Sequence, residues 1–561
     1  MILMRRNHPR RKAENLNPNF TLHPSMKRLL YFLLFIPLST YAQPSWPEDL
    51  LLTPEKSNFI KTSTHADVMN FLNAMKSKSS NVHLFSMGKS LEGKDIPVAV
   101  LANPIIRTAE EAKASGKLVI YVQGNIHAGE VEGKEAVMML MRDILLGDKK
   151  NLLDNQIILF APIYNSDSND KMEKGRRPSQ EDSPLEVGIR ENSQGFDLNR
   201  DGMKMEALET NGIFQHVIVP WDPQIFVDLH TTNGTWHAYN LTYAPSYHFA
   251  GEYAPYDFIN NKMLPAITKT LKEKNNLVIG PYGDYDLREG WPVKKFYTYN
   301  HHPRYLVNQF GLRNRMAILS EAFAHERFYQ RIYSTYAFTN EILGYSNDHA
   351  KEIIDINKKA EAQAIQQVIA QAGKIKKGVR FKLVPLEKIN NFITYDYIKV
   401  TKIDNTTQYS RTGNIIKVDG VEYHAKFDAE IESTLPRGYI IPAAFTAIAD
   451  NLRKHGVNVD QLVKTQSFTG EVFSIEKLDK APQSFQGHAM VQSQGKFSAA
   501  SRKFKKGDYI VDMAQPLSNL IFYLLEPQSD DGLVTWNFFD EYISKNQLNN
   551  QPVEYPVFKY Y

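Results

Sequence analysis

The stretch LVIYVQGNIHAGE, residues 118–130, decides the reading of the fold. Leu118–Gln123 is a short apolar run rich in β-branched and aromatic residues, and it reads as a buried strand. Val131–Leu146 follows as an amphipathic helix. His127 and Glu130 therefore stand on the turn between a strand and a helix. In open α/β sheets ligands bind there, just beyond the carboxyl end of a strand. Gly124 and Gly129 give the turn backbone freedom, so that His and Glu, three residues apart, can face one point.

The same alternation extends outward. Ile157–Tyr164, Gln224–Leu229 and Met316–Phe323 read as further buried strands separated by helical patterns. Residues from about 50 to 345 are thus expected to form an α/β fold around a mixed, mostly parallel sheet. Asn165–Asn199 is polar and rich in Gly, Pro and Ser, and loops of that length are often functional. A charged, Ala/Gln-rich helix over 346–375 reads as a connector. Beyond Lys377 short alternating runs such as Arg380–Val384, Ile393–Val400, Asn414–Val418 and Val421–Phe427 mark a β-rich region. One helix, Ala443–His455, interrupts it, and Gly507–Leu525 and Glu526–Asp540 have buried-strand and aromatic character. The expected organisation is a catalytic domain over 43–345, a helical connector over 346–377 and a β-rich accessory domain over 378–561.

Residues 26–42 begin Met-Lys-Arg, continue through the apolar run 29–38 and end Ser-Thr-Tyr-Ala, the layout of a signal peptide. Cleavage is expected near Ala42–Gln43, with export to the periplasm or medium. Residues 1–25 are polar and basic and read as an upstream extension from a start codon other than the native one. The 561-residue chain has no cysteine, which removes disulfides, thiolate nucleophiles, iron–sulfur clusters and a lipid-anchoring cysteine. Any metal must be held by His, Asp or Glu. The net charge of +4 belongs to the leader: residues 1–42 hold seven Lys/Arg and one acid, leaving 59 basic and 61 acidic residues beyond them. That balance argues against a nucleic-acid partner, and no stable membrane anchor is expected.

His plus carboxylate suits zinc. A lone His-x-x-Glu match is weak, and His349–Glu352 supplies the control: it also matches, but on the charged connector with no strand before it. A third ligand comes from Asp228-Leu229-His230 at the end of another strand, with Asp228 able to orient a ligand from behind. Two His and one Glu with a fourth position open is a catalytic zinc pattern. Glu321 closes the apolar run Met316–Phe323, where a carboxylate is costly without a partner; a metal-bound water or an ion pair with Arg313 or Arg315 would supply one. Asn199 and Arg200, in Phe196-Asp-Leu-Asn-Arg, suit recognition of a carboxylate.

Taken in order, GNIHAGE (124–130), FDLNR (196–200), DLH (228–230) and LSE (319–321) resemble the zinc carboxypeptidase family of the carboxypeptidase A type. The resemblance covers roughly 50–345, and the β-rich remainder resembles the accessory domain of some large bacterial members. It implies an α/β/α sandwich and one zinc ion per chain held by His127, Glu130 and His230. It implies Glu321 as general base and acid, and Asn199 with Arg200 as the grip on the terminal carboxylate of a peptide or protein. A carbonyl-polarising Arg is expected upstream of that pair, at Arg177 or Arg190, with Arg176 also available. A mobile substrate-covering Tyr is expected at Tyr299, with Tyr297 and Tyr305 behind it. Gly129 stands where digestive members have Arg, Asp201 where many have Asn, and Ser320 and Ala322 flank Glu321 in place of bulkier residues. The implied activity is hydrolysis of C-terminal peptide bonds. A zinc deacylase or cell-wall peptide amidase could use the same site. A binding protein with a decayed site is the non-enzyme alternative, and the complete ligand set argues against it. His301-His302 before Pro303 reads as a solvated loop, with a second metal site as the alternative; His237 and His248 read as cleft-lining residues, His325-Glu326 as the second choice of base, and Trp536–Phe539 as core, with a binding platform as the alternative.

Overall fold

Eight strands form the central sheet: β1 Val82–Lys89, β2 Asp95–Leu101, β3 Leu118–Gly124, β4 Gln156–Ala161, β5 Ile225–Thr231, β6 Leu241–Pro245, β7 Ile279–Pro281 and β8 Met316–Ala322. Their order is β1-β2-β4-β3-β5-β8-β6-β7. The middle strands β4, β3, β5 and β8 are parallel, while β1, β2 and β6 add antiparallel pairings at the flanks. Every residue of the four middle strands is buried, which is why they read as near-continuous apolar runs rather than alternating ones. The computed structural model describes residues 46–561 apart from 181–183, 248, 404 and 548–550. The expected extension over 1–25, the expected signal peptide with its cleavage point, and His248 lie outside the described residues. Glu48–Tyr561 is one compact unit.

Two strand ends differ from the sequence reading, and both matter for the site. β4 stops at Ala161 because Pro162 cannot donate to the ladder. The chain then passes beside the turn that carries His127 and Glu130, with Tyr164 N–H on Gly124 O and Asn165 N–H on Asn125 O, both 3.2 Å. β5 runs on through His230 and Thr231, so His230 lies within the sheet and is the register partner of Glu321 on β8. The helix Glu132–Leu146 packs against β5 at Gly133, where a β-carbon would stand 2.7 Å from Leu229 Cβ.

The stretch expected as a connector holds the end of one helix, Phe328–Asp348, and a second helix, Ala350–Gln371. The second buries Ile353, Asn357, Ala360, Ala364 and Val368 on one face, so it is packed rather than bridging. Beyond it, Lys376–Ile389 and Val421–Thr434 pair antiparallel, and Lys295–Tyr297 from the α/β portion adds to that sheet in parallel with Glu422–His424. Phe392–Thr401 and Thr407–Val418 form a hairpin, and a further sheet is built on Gln466–Lys480 and Val491–Phe504. One apolar core joins the two portions: Tyr239, Phe296 and Phe310 cluster with Phe392, Val421, Tyr423, Ala425 and Phe427. Within Gly507–Leu525 only Tyr509–Asp512 is strand, and Ser518–Leu525 is a helix buried at all eight positions. A fully buried run carries no period, so sequence alone does not separate a strand from a buried helix there. Glu526–Asp540 is mostly turns, and Trp536 within it is core, its indole N–H donating to Asp531 Oδ1 at 2.9 Å.

Candidate metal centre and substrate cleft

The turn after β3 is shaped by Asn125, which adopts φ +65° and donates from Nδ2 to Ala128 O at 3.1 Å. Glu130 N–H closes onto His127 O at 2.9 Å. His127 and Glu130 consequently face the same point, which His230 on β5 also reaches. His127 Nδ1 is 3.0 Å from Glu130 Oε1 and His230 Nδ1 is 2.9 Å from Glu130 Oε2. All three groups are buried and offer ligand atoms within 4.8 Å of one another.

Each imidazole has a carboxylate behind it. His127 Nε2 meets Asp197 Oδ1 and His230 Nε2 meets Asp228 Oδ2, both at 3.0 Å. That arrangement leaves Nδ1 of each ring for a common ligand, as metal-binding histidines are usually held. Burial raises Glu130, but His127 and Arg177 outweigh it and hold the carboxyl well below its ordinary range. Burial lowers His230, but Asp228 and Glu130 outweigh it and raise the ring. Two imidazoles and one carboxylate converging on one point fit the donor set of a catalytic zinc.

Glu321 lies next to His230 across the β5–β8 ladder. Its Oε2 is buried and meets no hydrogen-bond donor among the described residues. Burial pushes its carboxyl up to about 8, with the charges of His230 and Glu130 acting on it in opposite senses. The ion-pair alternative does not form: Arg315 pairs with Asp222 and Glu361, and Arg313 donates to His455 O at 2.8 Å.

A cleft of about 220 Å³ is lined by His127, Glu130, Arg177, Arg190, Asn199, Arg200, His230, Tyr299 and Glu321, with Tyr282, Tyr305 and Asn233 completing its wall. Arg177 pairs with Glu130 Oε1 at 2.9 Å, and Arg190 with Asp197 Oδ2 at 2.9 Å and Glu130 Oε1 at 3.6 Å. Arg176 turns instead to Glu173 at the surface. Gly129 has a local reason: a β-carbon there would sit 2.8 Å from Arg177 Cγ and 2.9 Å from Gly188 O. The Arg177 side chain occupies the room a larger residue at 129 would need.

Asn199 and Arg200 ride on a single 3-10 turn, Leu198–Arg200, started by Asp197, whose Oδ1 accepts Asn199 N–H at 3.0 Å. Asn199 Oδ1 accepts Leu306 N–H at 3.1 Å, and Arg200 stacks over the Tyr305 ring with its guanidinium 4.4 Å from the centroid. Tyr299 reaches the cleft with its ring, while its hydroxyl donates to Asn308 Oδ1 at 3.0 Å. Tyr297 is directed to Glu289 instead. Asp197 is the residue that sequence reasoning passed over, although it stands inside the quoted FDLNR motif. Tyr282 and Asn233 carried no sequence signal.

Several other readings change. His301 is buried, 2 % exposed, and its Nε2 is 3.0 Å from Asp530 Oδ2, so it is no solvated loop. Asp530 also accepts Phe381 N–H and the Tyr523 hydroxyl, so this contact fastens the C-terminal portion. His237 is buried against Phe323 and is not part of the cleft wall. Burial lowers its ring to about 3. His325 stacks on Trp236 and bonds Gly234 O, and Glu326 accepts from Asn240, so neither supplies a base to the cleft. His349 and Glu352 lie on the surface, as the control requires.

Parts of the chain are similar to known proteins. Residues 68–205 match the model of the zinc carboxypeptidase family. The chain is 22 % identical over 489 residues to carboxypeptidase 2 of Trichophyton rubrum, covering 81 % of this chain and 80 % of that one. It is 30 % identical over 142 residues to human carboxypeptidase D, 24 % of this chain and 9 % of that one. Among solved structures, a metallo-carboxypeptidase from Burkholderia cenocepacia matches at 15 % identity and a TM-score of 0.39, covering 52 % of this chain and 70 % of that one. His127, Glu130, Arg177, Arg190, Asn199 and Arg200 all lie inside the segment that matches the zinc carboxypeptidase model, and His230 and Glu321 lie beyond it.

Proposed function

We propose that this metallocarboxypeptidase is exported and removes C-terminal residues from peptides, with His127, Glu130 and His230 holding one zinc ion. The observation that carries the reading is the single cleft in which the ligand set, Glu321 and the Asn199–Arg200 pair meet. Zinc bound there would supply a Lewis acid beside the scissile carbonyl. Asn199 and Arg200 hold the free carboxylate by amide and guanidinium donors, which places the last peptide bond over Glu321. Glu321, short of a donor in its buried position and favoured as the carboxylate by the positive charge zinc would add beside it, takes a proton from the attacking water and returns it to the leaving amine. Arg190 and Arg177 present positive charge to the oxygen on which negative charge develops. The signal-peptide layout of residues 26–42 supports export. No helix among the described residues is long and apolar enough to cross a membrane.

The test is zinc content of the purified protein and of His127→Ala, together with release of residues from a mixed peptide library. About one zinc per chain, lost in the variant, with single residues released from free C-termini, is the expected result. Zinc without C-terminal trimming would transfer the site to a deacylase or cell-wall amidase.

A further inference from the structure

The C-terminal portion reaches into the substrate cleft's foundation at one point. The segment 481–490 folds back as a tight turn in which Phe485 and His488 exchange backbone hydrogen bonds of 2.8 and 3.0 Å. Its two central residues, Gln486 and Gly487, have φ of +52° and +82°. Such hairpin turns favour Asn, Asp or Gly at both places. Gly487 conforms. Gln486 does not, and a residue with a β-carbon held in left-handed backbone needs compensation from its surroundings. The side chain finds it in the catalytic portion: Gln486 Oε1 accepts Asp197 N–H at 2.9 Å.

Asp197 is the hub beneath the cleft. It backs His127, pairs with Arg190 and starts the turn that carries Asn199 and Arg200. The 481–490 turn is itself pinned on both sides. His488 Nε2 lies 3.0 Å from Glu206 Oε1. Arg304 stacks over Phe485 and Trp536 and pairs with Asp531 at 2.7 Å. Two residues after Arg304, Leu306 N–H holds the Asn199 side chain. Both backbone segments that fix Asn199 are thus anchored on the C-terminal portion.

We propose that Gln486 is a positioning residue for recognition of the substrate's free carboxylate, so that the C-terminal portion is a working part of that subsite. The proposal rests on the carboxypeptidase reading. Gln486→Met keeps the shape and removes the acceptor; Gln486→Gly removes the acceptor and relieves the left-handed backbone. If the turn merely shapes the surface, the glycine variant should match or exceed wild type. If Gln486 positions the subsite, both variants lose the preference for a free C-terminus.

The experiment measures kcat and KM on one peptide with a free C-terminal carboxylate and on the same peptide with a C-terminal amide, with zinc content determined in parallel. Both variants are expected to keep their zinc and to raise KM for the free-carboxylate peptide about tenfold with kcat within about twofold, the effect of one lost hydrogen bond in the support. The ratio of kcat/KM between the two peptides should fall to the same extent. An unchanged ratio in both variants, against a wild type that prefers the free carboxylate, would overturn the role of Gln486 alone. A wild type with no such preference would overturn the carboxypeptidase reading and this inference with it.

Discussion

Glu321 and His230 are direct register partners on adjacent parallel strands. Side chains alternate across a sheet, so a one-residue slip would turn Glu321 to the opposite face and present Ser320 or Ala322 beside His230. The proposed proton acceptor and the proposed metal ligand are therefore set in place by the same ladder. Glu321→Gln preserves shape and removes the basic oxygen. We expect that variant to retain zinc at the wild-type level and to lose activity by roughly 10²–10⁴-fold. Metal analysis and kcat on one peptide check it; loss of metal in the variant would mean that Glu321 is part of the ligand set.

Asp197 holds the ring of His127 at 3.0 Å and is itself held well below the ordinary carboxylate range, since the neighbouring His127, Arg200 and Arg190 outweigh its burial. Asp197→Asn keeps the volume and withdraws the charge behind the ring. Zinc affinity should fall by about 10–100-fold, measured by competition with a chelator. Affinity equal to wild type would show that His127 is oriented by its strand and turn alone.

Arg200 should act on the substrate carboxylate and not on the peptide bond. Arg200→Met is expected to raise KM for free-carboxylate peptides by about tenfold to a hundredfold, corresponding to a lost charge-assisted hydrogen bond of about 1.5–3 kcal/mol. Amidated peptides should be cleaved as slowly as by wild type. If both substrates suffer equally, the residue serves the cleft's structure.

His455, on the C-terminal portion, is fully buried between Gln309 and Met203 O, and burial with nearby Arg313 lowers its ring to about 3. The unfolded chain binds its proton near pH 6.5 and the folded chain only near 3. Stability from this group is therefore fully present above about pH 6.5 and is lost as pH falls through that window, by several kcal/mol. Urea unfolding between pH 7 and 4 should show the decline, and His455→Gln should flatten it. An equal slope in both proteins would assign the acid sensitivity elsewhere.

Deleting residues 378–561 uncovers Phe296, whose ring lies 4.8 Å from that of Phe392, and breaks the Tyr247–Tyr423 hydroxyl contact of 2.8 Å. The truncated chain is expected to aggregate or to be rapidly degraded by protease. A soluble truncated protein with near-wild-type melting temperature would make the two portions independent domains.

Much of the candidate site was legible in the sequence because it is local. His127 and Glu130 share one turn, Asn199 and Arg200 share another, and the near-continuous apolar runs 118–123, 157–161, 225–229 and 316–322 announce a sheet buried on both faces. Strand-end logic alone placed His230 and Glu321 at the rim of that sheet. What no run of sequence contains is the register between strands distant in the chain, and only that register sets Glu321 against His230. The tertiary structure likewise decided that Arg176 turns away while Arg177 and Arg190 enter the cleft, that Asp197 backs His127, and that His301 is buried against Asp530. It also decided that the β-rich portion shares the core of the α/β portion and touches Asp197 through Gln486. Local patterns specify which face of an element is buried; which distant surface covers it follows from packing, where most buried polar groups find a partner.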